Sequence, residues 1–207
     1  MMKVIRSFAW FFSILFHPLL MLNAGIASIL LIHPYYSSKY YDEQMITFVL
    51  YLFVNTLIMP LLAILLLKRF KYIDTVTIPN FKQRTLPYIV IALLLGVTAY
   101  QLNKNEMNGL PLIFLISAAV SLLINAAITL KFGVSSHGIS AGGLVGLMFY
   151  TVAFQHISQF ELWLFVSILI AGISGSSRLI LGAHTPQQLY WGYGIGFAVV
   201  MLCLTLL

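Results

Sequence analysis

The chain has 207 residues, 61% of them hydrophobic and only 8% charged, with a mean hydropathy of +0.99 and a formal charge of +6. A water-facing domain carries roughly 25% charged residues, so a soluble fold is excluded and lipid must solvate most of the surface. The basic residues lie between apolar runs and not on one polar face, which argues against nucleic acid and for anionic headgroups or phosphate as partners.

A spanning helix needs about 20 mostly apolar residues. The first predicted span, 7–32, follows Lys3 and Arg6 and is interrupted by His17-Pro18. It offers no small-residue cleavage site after a short apolar core, so it reads as a retained span and not as a secretion signal. The second, 44–67, contains Pro60, which membrane helices tolerate. The stretch 68–84 is basic and too polar for hydrocarbon. Apolar runs resume at 86–102, 110–130, 139–154, 162–174 and 189–207, two of them short. The predicted fold class is all-α: one domain over 1–207, a polytopic transmembrane bundle of about six to seven spans. The single cysteine, Cys203, excludes an internal disulfide and reads as a small apolar side chain.

Alternating spans place the breaks after the second, fourth and sixth on one side of the membrane. Those breaks hold seven of the eleven Lys and Arg residues, and the N-terminus adds Lys3 and Arg6. Lys39 and Lys104 lie opposite, with Asp42, Glu43, Glu106 and Glu161. Positive-inside counting therefore puts the basic side in the cytoplasm of a prokaryotic plasma (inner) membrane. Tyr35, Tyr36, Tyr40, Tyr41, Tyr190 and Trp191 read as interface anchors. His33 and His156 read as solvated or interfacial; His17 is a functional candidate as an intramembrane ionisable group, with a structural reading, bonding a carbonyl freed by Pro18, favoured over it.

Three polar clusters fall on the basic side, each at a helix end. One is Ser177-Arg178, then His184 and Gln188, followed by a helix bearing Gly192, Gly194 and Gly196. The second is Ser135 and His137, and the third is Lys82 and Arg84. Arginines present forked donors that match phosphate oxygens and stay charged. Two histidines can divide nucleophilic and general-acid roles at neutral pH. No carboxylate lies among the clusters, which disfavours magnesium. Two histidines alone make a poor zinc site. The chemistry expected is phosphoryl transfer with no metal and no cofactor.

At these residues the chain resembles the type 2 phosphatidic acid phosphatase superfamily, whose motifs read Lys-x6-Arg-Pro, Pro-Ser-Gly-His and Ser-Arg-x5-His-x3-Asp. The third matches at Ser177, Arg178 and His184, with Gln188 in place of the aspartate. The second matches at Ser135 and His137, with Val134 and Ser136 replacing proline and glycine. In the first, Arg84 fits, while Thr77 and Thr85 stand at the lysine and proline positions; Lys82 or Lys131 could supply the missing charge. The resemblance covers 84–196. It implies that His184 attacks phosphorus, that His137 protonates the leaving oxygen, and that Arg84, Arg178, Ser135 and Ser177 hold the phosphoryl oxygens. The substrate it implies is a lipid phosphate or polyprenyl diphosphate, on a site facing the outer side of the membrane, opposite to the charge count. Gln188 can accept a bond from His184 but brings no charge; a comparable aspartate-to-asparagine change in serine-protease triads costs about 10⁴ in rate. The rival expectation is a weak or inactive relative that binds phosphorylated lipid or serves as a membrane-complex subunit.

Overall fold

The computed structural model describes residues 2–39, 42–78, 80–105 and 107–207. Tyr40, Tyr41 and Glu106 lie outside the described residues, as does the side chain of Asp42.

Every apolar run becomes a helix, and no strand occurs among the described residues. The first predicted span breaks into α1 (Met2–Leu15) and α2 (Pro18–Ile32), bent by 51°. Pro18 has no N–H to continue α1, but it suits the first turn of a new helix. A short α3 (Pro34–Lys39) follows. Next come α4 (Asp42–Phe53) and α5 (Met59–Arg69), joined by a π-helical turn, Val54–Ile58, just ahead of Pro60. The wider turn absorbs the misfit that proline introduces. A 3₁₀ turn, Phe81–Arg84, leads into α6 (Thr85–Lys104). The chain ends with α7 (Leu110–Thr129), α8 (Ser136–Ala153), α9 (Glu161–Ile180) and α10 (Pro186–Leu206).

Five helical segments are long and apolar enough to cross a membrane, six with the bent pair α1–α2. This is an integral membrane protein. α8 is a helix, as expected of the run 139–154, but it is not one of those six. It forms the middle of the bundle, packed against α2, α9 and α10, with eleven of its 18 residues buried. Outward-facing side chains such as Leu66, Leu93, Phe165 and Leu202 are exposed, while Leu30, Leu95, Leu115 and Leu147 are buried. Leucine sits on both sides because lipid is as apolar as the core.

The α8–α10 seam fixes the rest. Gly138 and Gly142 of α8 face Gly192 and Gly196 of α10, so the two backbones touch. A Cβ on Gly192 would sit 2.7 Å from the Ser135 carbonyl oxygen, and one on Gly196 would overlap the Ile139 carbonyl. Gly194, half a turn round the helix from the seam, faces open space. Gly196→Ala is therefore expected to destabilise by about 1–3 kcal/mol, as overpacking does. Gly194→Ala is expected to be neutral or slightly stabilising. Denaturation midpoints of the two variants in one detergent check the pair.

At the opposite end from the seam's start, two sequence expectations are corrected. Tyr36 is no interface anchor; it is buried, and its hydroxyl accepts from Leu110 N–H at 2.9 Å and donates to the Asn108 carbonyl at 3.2 Å. His33 is not solvated either. It is 8% exposed, bonded to Gln155 at 3.2 Å, and its Nδ1 accepts from Tyr35 N–H. Tyr35, Tyr190, Trp191 and His156 are exposed as expected.

Candidate functional site

The α9–α10 junction is locked at both ends. α9 stops in a Schellman motif: Gly182 takes φ +66°, its N–H donates to the Leu179 carbonyl at 2.9 Å, and Ala183 N–H donates to the Arg178 carbonyl at 3.0 Å. α10 starts in a capping box, with Thr185 Oγ accepting from Gln188 N–H at 3.3 Å and Gln188 Oε1 accepting from Thr185 N–H at 3.2 Å. The spacing from Arg178 to His184 is thus one helix stop followed directly by one helix start.

The same Gln188 oxygen lies 3.1 Å from His184 Nδ1. A backbone N–H can only donate, so the Gln188 atom facing Thr185 is the amide oxygen. That oxygen can only accept, so His184 Nδ1 carries the proton. Nε2 keeps its lone pair. Burial, with Arg178 and Arg84 beside it, pushes the His184 imidazole down to about 4, against the opposing pull of the Gln188 bond. His184 is a neutral base throughout the physiological range.

The α7–α8 junction is tied to the first. Ser135 caps α8, accepting from Gly138 N–H at 3.3 Å, and its own N–H donates to the Gln188 carbonyl at 3.1 Å. His137 follows, with Nε2 at 3.1 Å from the Ser13 carbonyl. A carbonyl only accepts, so Nε2 bears the proton and Nδ1 the lone pair, the reverse of His184. The Ser13 hydroxyl, in the last turn of α1, accepts from Arg178 Nη1 at 2.7 Å. One residue of α1 therefore holds both an imidazole and a guanidinium.

Arg84 enters from the loop before α6. Its Nε donates to the Ile78 carbonyl at 2.8 Å. Ile78 has φ +44°, a strained value for a β-branched residue, and is nonetheless buried. The loop is stapled by Gln83 Nε2 donating to Asp74 Oδ2 at 2.8 Å.

Arg84, His137, Arg178 and His184 all line one cavity of about 200 Å³. His17, Thr77, Tyr88, Asn125 and Ser136 line it too, and among the described residues none that lines it is acidic. Arg178 Nε is buried and has no partner among the described residues. A buried donor without an acceptor is uncommon and calls for a missing ligand, ion or water. Below the polar end the cavity runs on past Leu19, Ile91, Leu95, Phe114 and Val200. From Arg84 to Leu95 along α6 that is roughly 16 Å at 1.5 Å per residue.

Four expected phosphate ligands do not reach the cavity. Lys82 and Lys131 are exposed and do not line it. Ser177 is buried, its hydroxyl donating to the Ile173 carbonyl of its own helix at 2.8 Å. Ser135 is fully buried as the α8 cap, and its neighbour Ser136 takes the lining position, 2.6 Å from Tyr88 Oη. His17 is also reassigned: its Nδ1 accepts from Leu19 N–H at 3.4 Å and bonds no freed carbonyl. Sequence reasoning missed Ser13, Ser136, Tyr88 and Asn125. The His-Pro break in an apolar run was the one signal that α1 bends at a site. Among the described residues no three His, Cys, Asp or Glu side chains group closely enough to hold a metal ion.

No family model, curated protein or solved structure matches the chain, so the functional argument rests on the geometry of the cavity.

Proposed function

We propose that the chain is a membrane phosphatase of the type 2 phosphatidic acid phosphatase kind, hydrolysing a lipid phosphate or polyprenyl diphosphate through a phosphohistidine. The observation that carries this reading is Arg178: a half-buried guanidinium whose buried Nε has no partner among the described residues, in a cavity with no described acidic lining residue, beside an imidazole with a free lone pair. The apolar continuation of the cavity supports a hydrocarbon-bearing substrate.

In the first step His184 Nε2 attacks phosphorus while the bond to the leaving oxygen breaks. That oxygen takes the proton that the bound phosphate monoanion has handed to His137 Nδ1, whose Nε2–H stays on Ser13. In the second step water attacks phosphorus, gives its proton back to His137 Nδ1, and displaces His184 to release phosphate. Arg84 and Arg178 hold the equatorial oxygens throughout.

The phosphorylated imidazole is cationic, and Gln188 offers it a dipole where a carboxylate would offer charge. Gln188→Glu keeps the reach of both side-chain bonds and adds that charge. It is expected to raise turnover by up to about 100-fold, part of the triad effect. The pH profile gives a second readout. Protonating His184 removes the attacking pair, so the acid limb of kcat/KM lies near pH 4 and not near 6.5. A carboxylate against Nδ1 favours the imidazolium, so in Gln188→Glu the limb moves upward.

Counting α8 and the bent pair as crossings gives seven spans. Positive-inside counting then favours the cytoplasm for the side whose breaks hold Lys68, Arg69, Lys82 and Lys131. The test of the function is phosphate release from a panel of lipid monophosphates and polyprenyl diphosphates by purified protein, wild type against His184→Ala. Equal background from both sinks the hydrolase reading. Gln188 and Thr77 favour one alternative, a non-catalytic binder of phosphorylated lipid, and saturable binding without turnover would select it.

A further inference from the structure

The break in the first span places a third imidazole at the phosphate site. His17 lines the cavity with Arg84, Arg178 and His184, and its ring lies 5.8 Å from that of His137 at an interplanar angle of 82°. It is the N-cap of α2, with Nδ1 accepting from Leu19 N–H. Because a backbone N–H only donates, Nδ1 holds a lone pair and the proton sits on Nε2. A second proton on Nδ1 would oppose Leu19 N–H at the positive end of α2, so the ring stays neutral. A histidine kept neutral by a helix N-terminus serves as a fixed electrophilic donor elsewhere in enzyme chemistry. Here Nε2–H finds no acceptor among the described residues.

The cavity has Arg84 and Arg178 but no lysine among its described lining residues. Thr77 stands where the resemblance calls for a lysine, and both lysines that could replace it, Lys82 and Lys131, are exposed away from the cavity. We infer that His17 binds substrate phosphate, its Nε2–H hydrogen-bonded to a phosphoryl oxygen in the place of the missing lysine. The inference rests on the phosphatase reading only for the class of ligand, a tetrahedral phosphate anion. It differs from a capping role, which uses Nδ1 alone.

The two roles separate by substitution. Asparagine and aspartate are both strong N-caps, so His17→Asn and His17→Asp retain an acceptor for Leu19 N–H while withdrawing the donor from the cavity. Orthovanadate is the probe, its dissociation constant read by thermal shift of the full chain in detergent alongside kcat/KM on the best lipid phosphate. His17→Asn should keep the wild-type melting temperature within a few degrees, weaken orthovanadate at least tenfold and lower kcat/KM by about 10²-fold, the loss of one preorganised donor. His17→Asp should weaken orthovanadate further, because its charge repels the anion. Wild-type affinity and turnover in either folded variant overturns the proposal and leaves His17 a cap. A wild type that binds orthovanadate without hydrolysing any lipid rejects the phosphatase reading while the His17 comparison still decides. A wild type that does not bind orthovanadate overturns both.

Discussion

His184→Ala is expected to abolish phosphate release, lowering turnover by about 10⁴-fold or more, to the rate of the detergent blank. Loss of a nucleophile removes the covalent route outright, and comparable deletions in other covalent enzymes cost about 10⁶. Neither remaining imidazole is expected to substitute: His137 Nδ1 handles the leaving-group proton, and His17 carries its proton on Nε2. The fold should survive, because among the described residues the one side-chain bond of His184 is the part-buried one to Gln188. The measurement is twofold: released phosphate, and label retained on protein after an alkaline quench with ³²P-lipid. Wild type should hold alkali-stable, acid-labile label, and the variant none. Label on both proteins would place the nucleophile elsewhere.

Arg178→Met should have the second largest effect, lowering kcat/KM by about 10³–10⁵, the range seen for a transition-state arginine. Arg178→Lys keeps the charge and loses the fork, so it should recover only part of that loss. Stability should move the other way. Arg178 is a half-buried charge whose Nε is buried without a partner among the described residues, where its one side-chain bond is to the Ser13 hydroxyl. Replacing such a group with a side chain of similar volume is neutral or stabilising when no anion is bound. An unliganded melting temperature for Arg178→Met equal to or above wild type, with activity lost, is the expected pair. A large drop in melting temperature would recast Arg178 as structural.

Much of this was legible in the sequence, for definable reasons. Apolar runs announce helices because lipid admits little else, and each predicted run became helical, the first as two helices bent at His17-Pro18. The Arg178 to His184 spacing was legible because a helix stop and a helix start have local signatures: Gly182 in one, Thr185-Pro186 and Gln188 in the other. Gln188 was correctly expected to accept from His184. Burial was not legible. In a chain that is apolar inside and out, nothing local separated Ser135 from Ser136, and the buried one was chosen as a ligand. Lys82 and Lys131 were chosen for charge, yet side-chain direction depends on tertiary packing. Ser13 was hidden because it sits more than 100 residues from His137 and Arg178, and only the fold brings α1 to them.

The glycine seam between α8 and α10 has a consequence for how this site can evolve. Where two helices meet through side chains, a change of residue adjusts their separation in small steps. Here carbonyls and α-carbons meet directly, so the gap between the His137 and His184 supports is a hard stop set by covalent geometry. Selection can retune what enters the cavity by altering its apolar floor, but it has no gradual way to move the two imidazoles apart.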